Sequence, residues 1–204
     1  MDSTVQFWFE YASTYSYVAA MRVEQVAAAR RVPVQWKPFL LGPLFQRQGW
    51  ADSPFNLYPA RGRYMWRDIE RLCGQYGIPF RRPTAFPRNS LLAARVAILG
   101  EGASWLPEFS RSVYLANFAQ DHDIAEPDLV AGILDALGQE GGRLIDLARS
   151  PENKARLRAQ TERAWELGIF GAPSFVVNGE LFWGQDRIEQ AFDWLARRPT
   201  GELT

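Results

Sequence analysis

Ser13 stands where an apolar, strand-like run, Val5-Gln6-Phe7-Trp8-Phe9-Glu10-Tyr11, breaks into a helical stretch. Far downstream, Gly171-Ala172-Pro173-Ser174 leads into a second apolar run, Phe175-Val176-Val177. A serine before a helix is a strong N-cap. A hydroxyl donor at a helix N-terminus also favours an adjacent anion, through its hydrogen bond and the helix dipole. Asp186, with Glu189 three residues on, has the spacing of a capping box for a last helix. Arg61 offers a planar fork suited to a carboxylate, or is simply a surface charge. Tyr15, Trp8, Tyr64, Trp66 and Phe39 could line an aromatic pocket, although most buried aromatics are core.

Other chemistry is excluded by scarcity. One cysteine, Cys73, rules out an internal disulfide, a Cys-x-x-Cys redox pair and a cysteine-rich metal site. It falls on the apolar face of a helix and reads as an inert core residue. The single histidine, His122, lies between Asp121 and Asp123 in what reads as a solvated polar turn, and cannot build a multi-histidine site. No metal is expected. Lysine plus arginine and aspartate plus glutamate balance at 23 each, so nothing in the charge favours nucleic acid or an anionic membrane. With 204 residues, 47% hydrophobic, the chain can bury a sizeable core. No apolar run approaches a membrane span and no signal-peptide pattern opens the chain, so a cytoplasmic protein with no membrane partner is expected.

The elements that must position these residues are legible. Val5–Tyr11 and Val34–Phe39 read as strands joined by a helix carrying Tyr17, Val18, Met21, Val26 and Ala27, stopped by Pro33; such a crossover implies a parallel pair. Residues from Leu41 to Pro59 read as a long structured loop. Met65, Ile69, Leu72, Cys73 and Tyr76 mark one face of a helix closed by Gly77. Further helices are expected at about Ser90–Leu99, Trp105–Phe118, Pro127–Leu137, Gly142–Ala148, and from the Ser150 cap to Leu167. Two short strands around Asn178-Gly179 form a hairpin, and a last helix runs from about Arg187 to Ala196.

Segments along nearly the whole chain resemble the 2-hydroxychromene-2-carboxylate isomerases, relatives of kappa-class glutathione transferases and DsbA-type oxidoreductases. They are Ser13-Thr14-Tyr15-Ser16, Pro38-Phe39-Leu40-Leu41-Gly42, Pro59-Ala60-Arg61-Gly62-Arg63-Tyr64-Met65, Phe86-Pro87-Arg88-Asn89-Ser90, Phe170-Gly171-Ala172-Pro173-Ser174 and Trp183-Gly184-Gln185-Asp186-Arg187. The resemblance implies an α/β, thioredoxin-like fold with a large all-helical insertion. Residues 1–58 and 160–204 would form the discontinuous thioredoxin-like domain and 59–159 the helical one.

It also implies roles. Ser13 would hold the sulfur of glutathione, the cofactor, and both redox-cysteine positions are serine. A cis Ala172-Pro173 bond is implied, against the trans state that composition alone favours. Ala172 would pair with the cysteinyl unit, Asp186 would take the γ-glutamyl ammonium with Gln185 beside it, and Arg61 the glycyl end, where the family commonly has lysine. Trp50 departs from a kappa-class asparagine. The implied activity is glutathione-dependent isomerisation of 2-hydroxychromene-2-carboxylate, a small aromatic carboxylate, to trans-o-hydroxybenzylidenepyruvate, with a homodimer expected. The rivals are a kappa-like glutathione transferase or peroxidase and a redox-inactive thioredoxin-like binding module. Serine cannot form the mixed disulfide that an oxidoreductase needs.

Overall fold

The computed structural model describes residues 4–195. The Val5–Phe9 strand (β1) pairs in parallel with Val34–Pro38 (β2), Val5 opposite Val34, as the crossover requires. Ser174–Val177 (β3) runs antiparallel to β1 with Ser174 opposite Trp8, and Glu180–Trp183 (β4) closes the hairpin, giving the sheet order β2-β1-β3-β4. The hairpin turn is Asn178-Gly179, both at positive φ. That is the twist a two-residue connection between right-handed strands demands.

Thr14–Arg30 (α1) connects β1 to β2 and ends on Arg31 in the left-handed region, two residues before Pro33. Between β2 and β3 come Leu41–Arg47 (α2), Pro54–Leu57 (α3), Pro59–Tyr76 (α4), Leu91–Leu99 (α5), Leu106–Phe118 (α6), Pro127–Ala136 (α7), Gly141–Ala148 (α8) and Pro151–Glu166 (α9). A 3-10 turn, Gln185–Arg187, then leads into Ile188–Leu195 (α10), and the expected end of that helix at Ala196 lies outside the described residues. The expected long loop from Leu41 to Pro59 is corrected: it folds as α2 and α3, with Ser53 capping α3. Leu41–Arg47 and Pro54–Leu57 are too short for apolar periodicity to reveal them.

The period-2 alternation of the strands divides the packing. Val5, Phe7, Phe9, Phe175 and Val177 face α1 and α10 and join one continuous core that runs through α4 to α8. Trp8 and Val176 face the other way, onto Phe39, Leu44, Ala164 and Ile169 of a second, smaller core. The mixed sheet with helices inserted between β2 and β3 is the thioredoxin-like arrangement expected from sequence.

Candidate active site

A cleft of about 1420 Å³ opens where the β1–α1 turn, the start of α4, the Ala172-Pro173 turn and the 3-10 turn converge. Ser13 is the N-cap of α1: its backbone is extended and its Oγ accepts the Ser16 N–H at 3.1 Å. The same hydroxyl donates to the Ala172 carbonyl at 3.2 Å. Ser13 therefore performs its capping role and also touches the downstream turn. Donation to a ligand would mean rotating the hydroxyl proton away from Ala172, while the cap survives because it uses a lone pair.

The partner turn is brought there by register. With Ser174 opposite Trp8, the residues just before β3 fall beside those just after β1. The Ala172-Pro173 bond is cis, as is Phe86-Pro87. The turn is tied by Ser174 Oγ donating to Gly171 O at 2.9 Å and by Gly184 N–H donating to Pro173 O at 3.0 Å.

Gly184 also admits the 3-10 turn: its φ is 117°, and a side chain there would meet the Asp186 carboxylate folded over it. Asp186 remains accessible, 59% exposed, with Arg187 at 3.5 Å. The capping-box reading is corrected. Asp186 lies in the 3-10 turn ahead of α10, and Glu189 turns away to bind Arg22 Nη2 at 2.5 Å.

Arg22, which sequence reading missed, organises this corner. From α1 its Nη1 donates to Gln185 Oε1 at 3.1 Å and to Gln185 O at 3.3 Å, while its guanidinium lies 3.8 Å from the Tyr76 ring centre. Gln185 lines the cleft, but its amide oxygen is held by Arg22. The available signal was a lone cation in the apolar Tyr17–Val23 stretch of a helix.

Across the cleft, Arg61 sits in the first turn of α4 with its guanidinium 4.6 Å from the Tyr58 ring centre. Tyr64, on the same helix, is exposed. Tyr15 donates its hydroxyl to Asp68 Oδ2 at 2.9 Å, linking α1 to α4. Burial, then the neighbouring carboxylate, pushes the Tyr15 phenol well above its ordinary value, so it stays a neutral donor. Ser13, Tyr15, Arg61, Tyr64, Ala172, Pro173, Gln185 and Asp186 thus share one cleft. Trp8 does not. It is only 2% exposed and packs in the second core, because strand alternation turns it from the face that carries α1. Phe39 lies in that core as well.

Two further aromatic pairs line the cleft: Phe45 with Trp50, ring centres 5.5 Å apart, and Phe170 with Trp183, 4.8 Å apart. Trp183 is 53% exposed, against the general tendency of aromatics to be core. Sequence reading also missed Glu10. It lines the cleft although only 6% exposed; Oε2 accepts the Ala12 N–H at 2.9 Å and Oε1 accepts a short bond from Ser90 Oγ. Burial pushes its carboxyl up to about 7, partly opposed by the Ser90 and backbone hydrogen bonds.

Cys73 takes no part. It is buried on α4 and burial pushes its thiol up to about 11. His122 is exposed, but its neighbour Asp121 is not the solvated residue the polar turn suggested. Asp121 accepts from Thr84 N–H at 2.9 Å and makes a short ion pair with Arg88, contacts that hold its carboxyl down at about 2.

The family model of the DsbA-like thioredoxin domain matches residues 4–196. The chain belongs to that family. It is 24% identical over 190 residues to a 2-hydroxychromene-2-carboxylate isomerase of Sphingobium xenophagum, covering 93% of this chain and 96% of that one. It is also 26% identical over 217 residues to glutathione S-transferase kappa 1 of Homo sapiens, covering 100% and 95%. A solved 2-hydroxychromene-2-carboxylate isomerase superposes with a TM-score of 0.84 at 24% identity, covering 95% and 96%. Among the described residues no helix is long and apolar enough to cross a membrane.

Proposed function

We propose that this protein is a glutathione-dependent isomerase acting on 2-hydroxychromene-2-carboxylate or a similar small aromatic carboxylate. The observation that carries the reading is the Ser13 hydroxyl, at the start of α1 and in contact with Ala172, in a cleft with no cysteine. Glutathione suits the donor set. Arg61 can take a carboxylate, Asp186 an ammonium, Ser13 a sulfur anion and Ala172 a backbone amide, all in a cleft with room for a tripeptide and a second molecule. The cofactor supplies a nucleophilic thiol that adds reversibly to an unsaturated carboxylate.

The chain's part is to hold and polarise. A free thiol near pKa 8.5 is only a few per cent thiolate at neutral pH, and each unit of lowering takes about 1.4 kcal/mol of preferential stabilisation. Ser13 Oγ and the positive end of α1 provide stabilisation of that sign. The Arg22 clamp fixes the turn carrying Gln185 and Asp186, and Tyr15 stays protonated at the wall. The Phe170–Trp183 and Phe45–Trp50 pairs offer flat apolar surface for an aromatic substrate.

A kappa-like transferase is the second reading, supported by full-length similarity to the human kappa-class protein. Product analysis separates the two: glutathione unchanged after many turnovers marks the isomerase, whereas a conjugate or glutathione disulfide marks the rival. Ser13→Ala tests the site itself. Because Ser13 also caps α1, its loss should cost about 1 kcal/mol of stability. The decisive readout is therefore ultraviolet titration of bound thiolate, which should move to higher pH. Superimposable titrations would leave Ser13 only a cap.

A further inference from the structure

Glu10 is a buried carboxyl without a cation within ion-pair distance among the described residues. Burial without a counter-ion favours the protonated form of such a carboxyl, so it holds a proton more tightly than one in water. Its place is specific. Oε2 takes the Ala12 N–H, and the Ser13 N–H also favours its ionised form, so the carboxyl sits inside the turn that presents the Ser13 hydroxyl. Oε1 binds Ser90 Oγ at the start of α5, and both Glu10 and Ser90 line the cleft.

The groups facing it do not neutralise it. Tyr11 and Tyr114 are phenols kept neutral by burial, and the Tyr114 hydroxyl is committed to the Glu10 backbone carbonyl at 2.9 Å. Arg88, in the same cleft, is engaged by Asn117 and Asp121. Asp68, on the α4 wall, is held by Tyr15.

We propose that Glu10 is the proton acceptor for the thiol held at Ser13. The Glu10 carboxylate takes up the thiol proton while the electron pair of the S–H bond stays on sulfur, so the two sites carry one negative charge before and after. A carboxylate left ionised beside a thiolate in this poorly solvated floor would oppose its formation, and the transfer removes that repulsion. Ser90 Oγ can donate to the ionised carboxyl and accept from the neutral one, so it serves both states. The proposal rests on the glutathione reading.

The test counts protons. Glutathione binding is followed by calorimetry at neutral pH in buffers of different ionisation enthalpy, with thiolate measured in parallel by ultraviolet absorbance. A carboxyl titrating at about 7 is roughly half ionised at neutral pH. Wild type should therefore release to solvent roughly half as many protons as thiolates formed. Glu10→Gln, which keeps the side chain's size, should release about one proton per thiolate, with unchanged affinity at acidic pH where the thiol binds protonated. If Glu10→Gln binds glutathione and its proton count per thiolate equals that of wild type, the proposal is overturned.

Ser90→Ala guards against a Glu10 variant that does not fold. Losing a donor to the carboxylate should move the midpoint of proton uptake to higher pH, and an unmoved midpoint also overturns the proposal. Failure of wild type to bind glutathione would instead remove the glutathione reading, and this role with it.

Discussion

Replacing Glu10 by glutamine should change how stability depends on pH, whatever the cleft binds. Burial raises the carboxyl from 4.5 to about 7. Between those values the folded chain binds the proton that the unfolded chain has lost, so stability falls as pH rises. The contribution is fully present below 4.5, is lost through the interval, and levels off once the folded carboxyl ionises near 7. A difference of about 2.5 units at about 1.4 kcal/mol each gives about 3 kcal/mol. For a chain of this size that corresponds to a fall of roughly 6–12 °C in Tm. The assay is calorimetric melting of wild type and Glu10→Gln from pH about 4.5 to about 8.5. Glutamine cannot ionise, so the two curves should diverge with increasing pH, the variant gaining on wild type. Parallel Tm-against-pH curves would refute the buried, cation-free placement of Glu10.

Arg61→Ala should weaken glutathione binding by roughly 1.5–3 kcal/mol, the range for charge-assisted hydrogen bonds, with turnover recovered at saturation. Asp186→Asn should act likewise with an unchanged Tm, since the Asp186 side chain caps no helix; both follow from glutathione titration beside a melting curve. Arg22→Met should lower stability and glutathione affinity together by about 1–3 kcal/mol, because Gln185 and Glu189 lose their shared partner. Gly62→Ala should cost about 1–3 kcal/mol in denaturant melts, because the new Cβ would run into the Phe55 carbonyl, which a backbone-constrained α3 cannot yield cheaply. Asp121→Asn should erode acid resistance. The carboxyl, held down from 3.8 to about 2, stabilises the fold above 3.8 and loses that contribution as pH falls through about 2, so wild type and variant melting curves should converge in strong acid.

Local signals were sufficient for most elements and for several site residues. The strand alternation of Val5–Phe9, the Ser13 and Ser150 caps, the Asn178-Gly179 hairpin and the Met65–Ile69–Cys73 face depend on neighbours a few residues away, and they appear as read. Sequence also sufficed to exclude redox and metal chemistry by cysteine or histidine clusters, because residues that are absent cannot be assembled. What local signals could not determine is which face a residue shows once the sheet is built. Trp8 and Glu10 stand two positions apart on the same run, yet Trp8 enters the core beneath the sheet and Glu10 the floor of the cleft. The side chains of Arg22 and Glu189, and of Glu10 and Ser90, meet across separations of 167 and 80 residues, and only folding supplies those partners. Burial and the resulting proton affinity of Glu10 are properties of that assembled environment: sequence determined that a carboxyl stood three residues before Ser13, and the tertiary structure alone removed it from water.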